Sequence, residues 1–181
     1  ESDDGSWSTE PADHPMTIRE LMSHTGGLTY FPPLGSGSIA EAYVESGIGE
    51  EATLAESIPN LANIPLLNQP GAKWVYSISV DVQGYMVERL SRIRFSEFLE
   101  TRVFQPLGMV DTGFSVKPEN AARLSRQYAP NNDGTLRRTD NRPGLANFDF
   151  LSPPKFESGG GGLTSTAADY MRFVQMHLGR G

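Results

Sequence analysis

The run PGAKWVYSISVDVQGYMVERLSRIRFSEFLETRVFQPLGMVD, residues 70–111, organises the chain. Pro70-Gly71 is a turn signal. Residues 73–76 form an aromatic, strand-like run, and Ser77-Ile78-Ser79 steps into an amphipathic helix predicted over residues 79–91. Val82, Met86 and Leu90 recur there at four-residue spacing. A following helix over residues 95–104 turns Phe95, Phe98, Leu99 and Val103 inward and closes on Pro106-Leu107-Gly108-Met109. Tyr76 therefore stands just before a helix N-terminus, where free N–H groups and a partial positive charge favour a phenolate. Such a field lowers the pKa of a tyrosine, which is what a general base requires. On pattern alone Tyr76 also reads as a half-buried tyrosine at a strand end with its hydroxyl on water.

Three further stretches carry helix-start signatures of the capping-box type: Thr17 with Glu20, Ser38 with Glu41, and Thr53 with Glu56. The first helix should end near Ser23, before Gly26-Gly27, and the second near Ser46, before Gly47. The third places Leu54, Ile58, Leu61 and Ile64 on one face, with Pro59 and Pro65 limiting its length. A last helix, capped by Ser165 or Thr166, is expected to bury Tyr170, Phe173, Val174 and Leu178. Pro118 to Leu124 reads as one or two helical turns. Strands should be few and short, near residues 1–15, 73–76 and 126–138, the last as a hairpin about Asp133-Gly134.

The chain has 181 residues, 38% of them apolar, with 19 Gly and 13 Pro, which suits helices joined by substantial loops in one segment. The net charge of −7, with no basic cluster, argues against nucleic acid or an anionic membrane as partner. There is no cysteine, which excludes disulfides, thiol catalysis and cysteine-ligated metal. No run of about 18 apolar residues is present, so no membrane span is expected. The acidic, polar start is unlike a signal peptide. His14, His24 and His177 lack metal-ligand spacing, so no metal is expected. His24 follows a helix end, where its cation would suit the dipole. The run Gly159-Gly160-Gly161-Gly162 lacks a following Lys-Ser/Thr and reads as close backbone packing or a flexible helix start.

Residues 76–84 and 106–112, the block MTIRELMSHTGGL (residues 16–28) and the block GGGGLTSTAADY (residues 159–170) together resemble the serine beta-lactamase-related hydrolases. That family includes class C beta-lactamases, penicillin-binding-protein-like peptidases and related esterases. Three blocks in the right order make the resemblance specific. It implies an α+β fold, of which this chain is the central, mainly helical part without most of the antiparallel sheet. It implies hydrolysis of an ester or amide small molecule through a serine acyl-enzyme, with no metal or organic cofactor and a bacterial cytoplasmic or periplasmic location.

In the family a tyrosine at the place of Tyr76 sits beside the nucleophilic serine and its lysine and relays a proton. The resemblance thus makes Tyr76 the general base or proton relay. Many relatives carry asparagine two residues later, where this chain has Ile78, so Ser77 or Ser79 would supply a hydroxyl instead. Tyr30 and Phe31 lie in a loop that borders the cleft in relatives, or else cap the helical core. Ser77, Tyr30 and Phe31 are therefore the substrate-binding candidates.

A Ser-x-x-Lys pair on one helical turn lets the amine activate the hydroxyl. Here the spacing occurs only as Ser152-Pro153-Pro154-Lys155, where the prolines disfavour a helix. The expectation is that this chain lacks the family's nucleophile motif and third motif and is inactive alone. Its apolar helix faces would then be covered by a second copy or by the missing segment. The competing expectation is a non-catalytic helical module that binds a partner.

Overall fold

The computed structural model describes residues 7–49, 52–138 and 149–181. These fall into two compact units, one of residues 1–98 with 155–161 and one of residues 99–154 with 162–181. Helix dominates: among the described residues the only strands are β1 (Tyr128–Pro130) and β2 (Leu136–Arg138). They pair antiparallel with Ala129 opposite Arg137, and the Asp133 carboxylate takes the Thr135 N–H in the connecting turn. This is the hairpin expected about Asp133-Gly134.

In the first unit, α1 (Ile18–Met22) and α3 (Leu54–Ser57) start as their sequences dictate. Thr17 and Thr53 each accept the N–H of the glutamate three residues on, and that glutamate returns a carboxylate to the cap residue's N–H. Between them lies α2 (Ser38–Glu45), and here the capping-box expectation fails. Ser38 is already the first helical residue, Gly37 precedes it, and no side chain caps the end. The Ser38 hydroxyl instead accepts the indole N–H of Trp7, a partner 31 residues away. Pro59 tightens the chain after α3 into a 3₁₀ turn, Ile58–Asn63, that still buries Ile58 and Leu61 beside Leu54.

The long helix α4 (Ser79–Ser91) has the predicted bounds. Leu21, Leu28, Tyr43, Leu54, Ile58, Leu61 and Ile78 form the core, with Val82, Met86 and Phe95 packed on it. Leu90 shares the four-residue spacing of Val82 and Met86 but is 80% exposed. The expected strand at residues 73–76 is absent. Among the described residues that segment has no partner strand, and its backbone bonds go to a loop: Val75 N–H to His24 O (2.9 Å) and Ile78 N–H to Thr29 O (3.0 Å). Residues 7–15 hold no strand, and residues 1–6 lie outside the described residues.

The start of α4 is tied down through a buried acid. Asp81 is 1% exposed and accepts the Ser158 hydroxyl at 2.6 Å and the Gly160 N–H at 3.4 Å. The chain passes so close that a methyl group at Gly159 would overlap the Val80 carbonyl. Glycine is required there for approach, not for flexibility. Glu157, also buried, accepts the N–H and hydroxyl of Ser96 at the start of α5 (Phe95–Leu99) and pairs with Arg94.

The expected single helix over residues 95–104 widens into a π turn, Glu100–Phe104, before the short α6 (Gln105–Leu107). Pro106 explains the widening: it offers no N–H to the Arg102 carbonyl and its ring would press on it. Phe104 is buried as a result, in place of Val103. Gly108, at φ 66°, ends the run, and Met109 returns its N–H to Phe104 O.

In the second unit α7 (Ala167–Leu178) is capped by Thr166. The expected burial of Tyr170 and Leu178 does not occur, since both are exposed, and Phe173 and Val174 are only partly buried. The buried residue of this helix is Asp169, which accepts the Asp111 N–H (2.8 Å), the Thr112 hydroxyl (3.0 Å) and Arg172 (2.7 Å). Polar anchoring thus replaces apolar burial there. No described helix is long and apolar enough to cross a membrane.

Two stability predictions follow from these anchors. Thr17→Ala and Thr53→Ala should each cost about 1 kcal/mol in urea unfolding, whereas Ser38→Ala should cost less than half of that because its hydroxyl caps nothing. Asp81→Ala leaves two donors without their acceptor and should cost roughly 1–3 kcal/mol, while Asp81→Asn keeps an acceptor and should cost less. The pH dependence separates the acids. Burial pushes the Asp81 carboxyl above its ordinary range, so stability from this group falls as pH rises from the ordinary carboxylate range through that raised value. Asp81→Asn should abolish that slope. Glu20 and Glu56 behave oppositely: their cap N–H bonds hold them low, so their contribution is lost as pH falls through the depressed values.

Candidate functional site

Tyr76 lies on the extended segment that feeds α4, held at both neighbouring amides. Val75 donates to the His24 carbonyl, and Ser77 donates its N–H to His24 Nδ1 at 3.2 Å. A backbone N–H can only donate, so Nδ1 is the acceptor in this contact. Nδ1 also lies 3.0 Å from the Ser77 hydroxyl, which is 2.7 Å from the Ser79 hydroxyl.

The rings assemble into a continuous aromatic row. Tyr30 stacks parallel on Tyr76, with centroids 5.6 Å apart and planes 2° from parallel. His24 packs tilted on Tyr76 at 5.2 Å, and Trp74 meets His24 edge-on at 6.2 Å. Phe31 extends the row beyond Tyr30 at 4.7 Å. Exposure runs unevenly along it: Tyr30 is buried, Phe31 rests on the core, and Tyr76 is 45% and Trp74 63% exposed. Among the described residues no hydrogen bond engages the Tyr76 hydroxyl.

Burial, the Asp81 charge and the Tyr76 ring together push the Tyr30 phenol up to about 12. Tyr30 therefore stays a neutral phenol at ordinary pH, and Asp81 links the row to the Gly159-Gly160 strap. A methyl group at Gly160 would sit against both the Asp81 carboxylate and the Tyr30 hydroxyl.

Tyr76, Tyr30 and Phe31 are thus brought together. Ser77 adjoins them but is 2% exposed, with its hydroxyl occupied by His24 and Ser79. Ile78 is fully buried in the core. The position where many relatives carry asparagine is therefore a packing position here. Residues 151–155 contain no helix, in line with the proline argument at Ser152 and Lys155. Sequence reasoning missed His24 as an acceptor and Asp81 as the acid behind the tyrosine pair. His24 stood in the quoted 16–28 block, but its contact with Ser77 spans 53 residues. Among the described residues no group of acidic or histidine side chains could hold a metal ion.

The beta-lactamase family model matches residues 6–181. An uncharacterized protein of Mycobacterium tuberculosis is 38% identical over 175 residues, covering 96% of this chain and 41% of that protein. Esterase EstB of Burkholderia gladioli is 32% identical over 177 residues, covering 88% of this chain and 44% of the esterase. Among solved structures, unliganded simvastatin synthase (LovD) from Aspergillus terreus superposes with a TM-score of 0.72 at 26% identity, over 97% of this chain and 42% of the synthase. The chain spans less than half the length of each of these relatives. Sequence blocks, helical architecture and structural likeness agree: the chain belongs to the beta-lactamase family and forms a mainly helical part of its α+β fold.

Proposed function

We propose that this chain supplies the tyrosine arm of a serine hydrolase site that cleaves a small ester or amide through an acyl-enzyme. Tyr76 is the general base or proton relay. It takes the proton from the serine hydroxyl as that oxygen attacks the substrate carbonyl, and returns it to the leaving alcohol or amine. Water then attacks the acyl-enzyme and releases the acid. The observation that carries this reading is the state of Tyr76: its ring is clamped by neighbours, it stands just before a helix, and its hydroxyl is bonded to no described protein group. The buried partner Tyr30 keeps its proton, which leaves it the role of wall.

Tyr30 and Phe31 form the apolar side against which an acyl or alcohol group would lie. Ser77 supports this wall through the backbone instead of reaching the substrate, because its hydroxyl faces inward. The likeness to a synthase structure favours a second outcome for the same acyl-enzyme, in which an alcohol replaces water as acceptor. The exposed Leu90 and Leu178 are proposed contact points for further polypeptide, from a second copy or from a chain of the relatives' length.

The test is Tyr76→Phe in the complete gene product that contains this chain, assayed on a chromogenic short-chain ester. Removing a general acid–base group should lower kcat by roughly 10²–10⁴-fold. Stability should change by about 1 kcal/mol or less, since the substitution removes one hydroxyl and keeps the packed ring. Normal turnover combined with a marked loss of stability would make Tyr76 a structural tyrosine and end this reading.

A further inference from the structure

We infer that His24 is the positioning residue of Tyr76, acting as a one-residue substitute for a neighbouring strand. The inference rests on the reading of Tyr76 as the proton carrier. In extended backbone the N–H groups of residues two apart point to the same side. Those of Val75 and Ser77, on either side of Tyr76, should therefore face one edge, and a paired strand would satisfy them with two carbonyls. Among the described residues no strand runs there. His24 answers both, with its carbonyl for Val75 and its Nδ1 for Ser77. The same imidazole packs its ring on the Tyr76 ring. Backbone and side chain of the tyrosine are thus held by one residue.

The backbone of His24 supports this assignment. It sits at φ 56°, in the left-handed region that glycine occupies most readily after a helix. A histidine holds such a conformation only where its surroundings over-determine it, and outliers of this kind gather at functional sites. Here the left-handed turn aims the carbonyl and the imidazole at the same segment. A glycine would suit the turn better and could not reach Ser77.

Two substitutions separate the turn from the clamp, because both tolerate positive φ. His24→Gly keeps the turn and removes the side-chain acceptor. His24→Asn keeps the turn and restores a carbonyl oxygen close to where Nδ1 stood. In the complete gene product His24→Gly should lower kcat by about 10–100-fold with little change in KM, the scale expected when a catalytic group drifts by about 1 Å. His24→Asn should recover most of that loss. Hydrogen exchange at the Ser77 amide should quicken at least ~10-fold in His24→Gly and stay slow in His24→Asn, the order expected when an amide loses its acceptor. Wild-type kcat in His24→Gly, equal losses in the two variants, or unchanged Ser77 exchange would overturn the inference.

A Tyr76→Phe background keeps the two claims apart. If Tyr76 carries the proton, adding His24→Gly there should bring no further loss. If Tyr76→Phe itself turns over normally, the proton-carrier reading alone falls, and Ser77 exchange decides whether His24 holds the segment.

Discussion

Everything around the candidate site depends on one constraint: an extended segment with no strand beside it among the described residues must still satisfy its backbone. Buried N–H groups without acceptors cost about as much as lost hydrogen bonds. Residues 75–78 meet that demand through three acceptors drawn from residues 24–29, namely the His24 carbonyl, His24 Nδ1 and the Thr29 carbonyl. The loop after α1 is therefore not free to vary. Its path is set by where these amides need partners, and the Ile78 side chain drops into the core directly below.

A second tier of polar anchoring fixes what the apolar core does not reach. Asp81 in α4 grips Ser158 and Gly160, Glu157 grips the start of α5, and Asp169 grips residues 111–112 in the second unit. Each is a buried carboxylate that accepts more than one hydrogen bond, which offsets its desolvation. The Asp81 carboxyl is still pushed up by burial. Its charge in turn raises the neighbouring Tyr30 phenol, so the structural anchor and the aromatic row share one electrostatic environment.

Two tyrosines in contact consequently differ in character. Tyr30 is buried near a carboxylate and holds its proton; Tyr76 stands half in solvent with its ring fixed and its hydroxyl unengaged by described residues. The buried Ile78 sharpens the contrast, because the segment after Tyr76 is anchored by packing. Under the proposed role of Tyr76, a phenol on such a segment would gain precision from rigidity, which is how orientation contributes to rate.

The sequence by itself determined the features whose causes lie within a few residues. The Thr17 and Thr53 caps, the bounds of α4, the Asp133-Gly134 hairpin and the stop at Gly108 all arise from contacts between residues near in sequence. The family, too, was legible, because its blocks are short and ordered. Tertiary structure alone decided the rest. Ser38 carries the same local signature as Thr17, yet Trp7 claims its hydroxyl from 31 residues away. Leu90, Tyr170 and Leu178 keep helical spacing but stay exposed, because spacing names a face without saying what covers it. The extended run before Tyr76 was visible, but not that a histidine 53 residues from Ser77 would stand in for its partner strand. Periodicity and capping encode what a residue needs locally; only the folded chain settles which distant group supplies it.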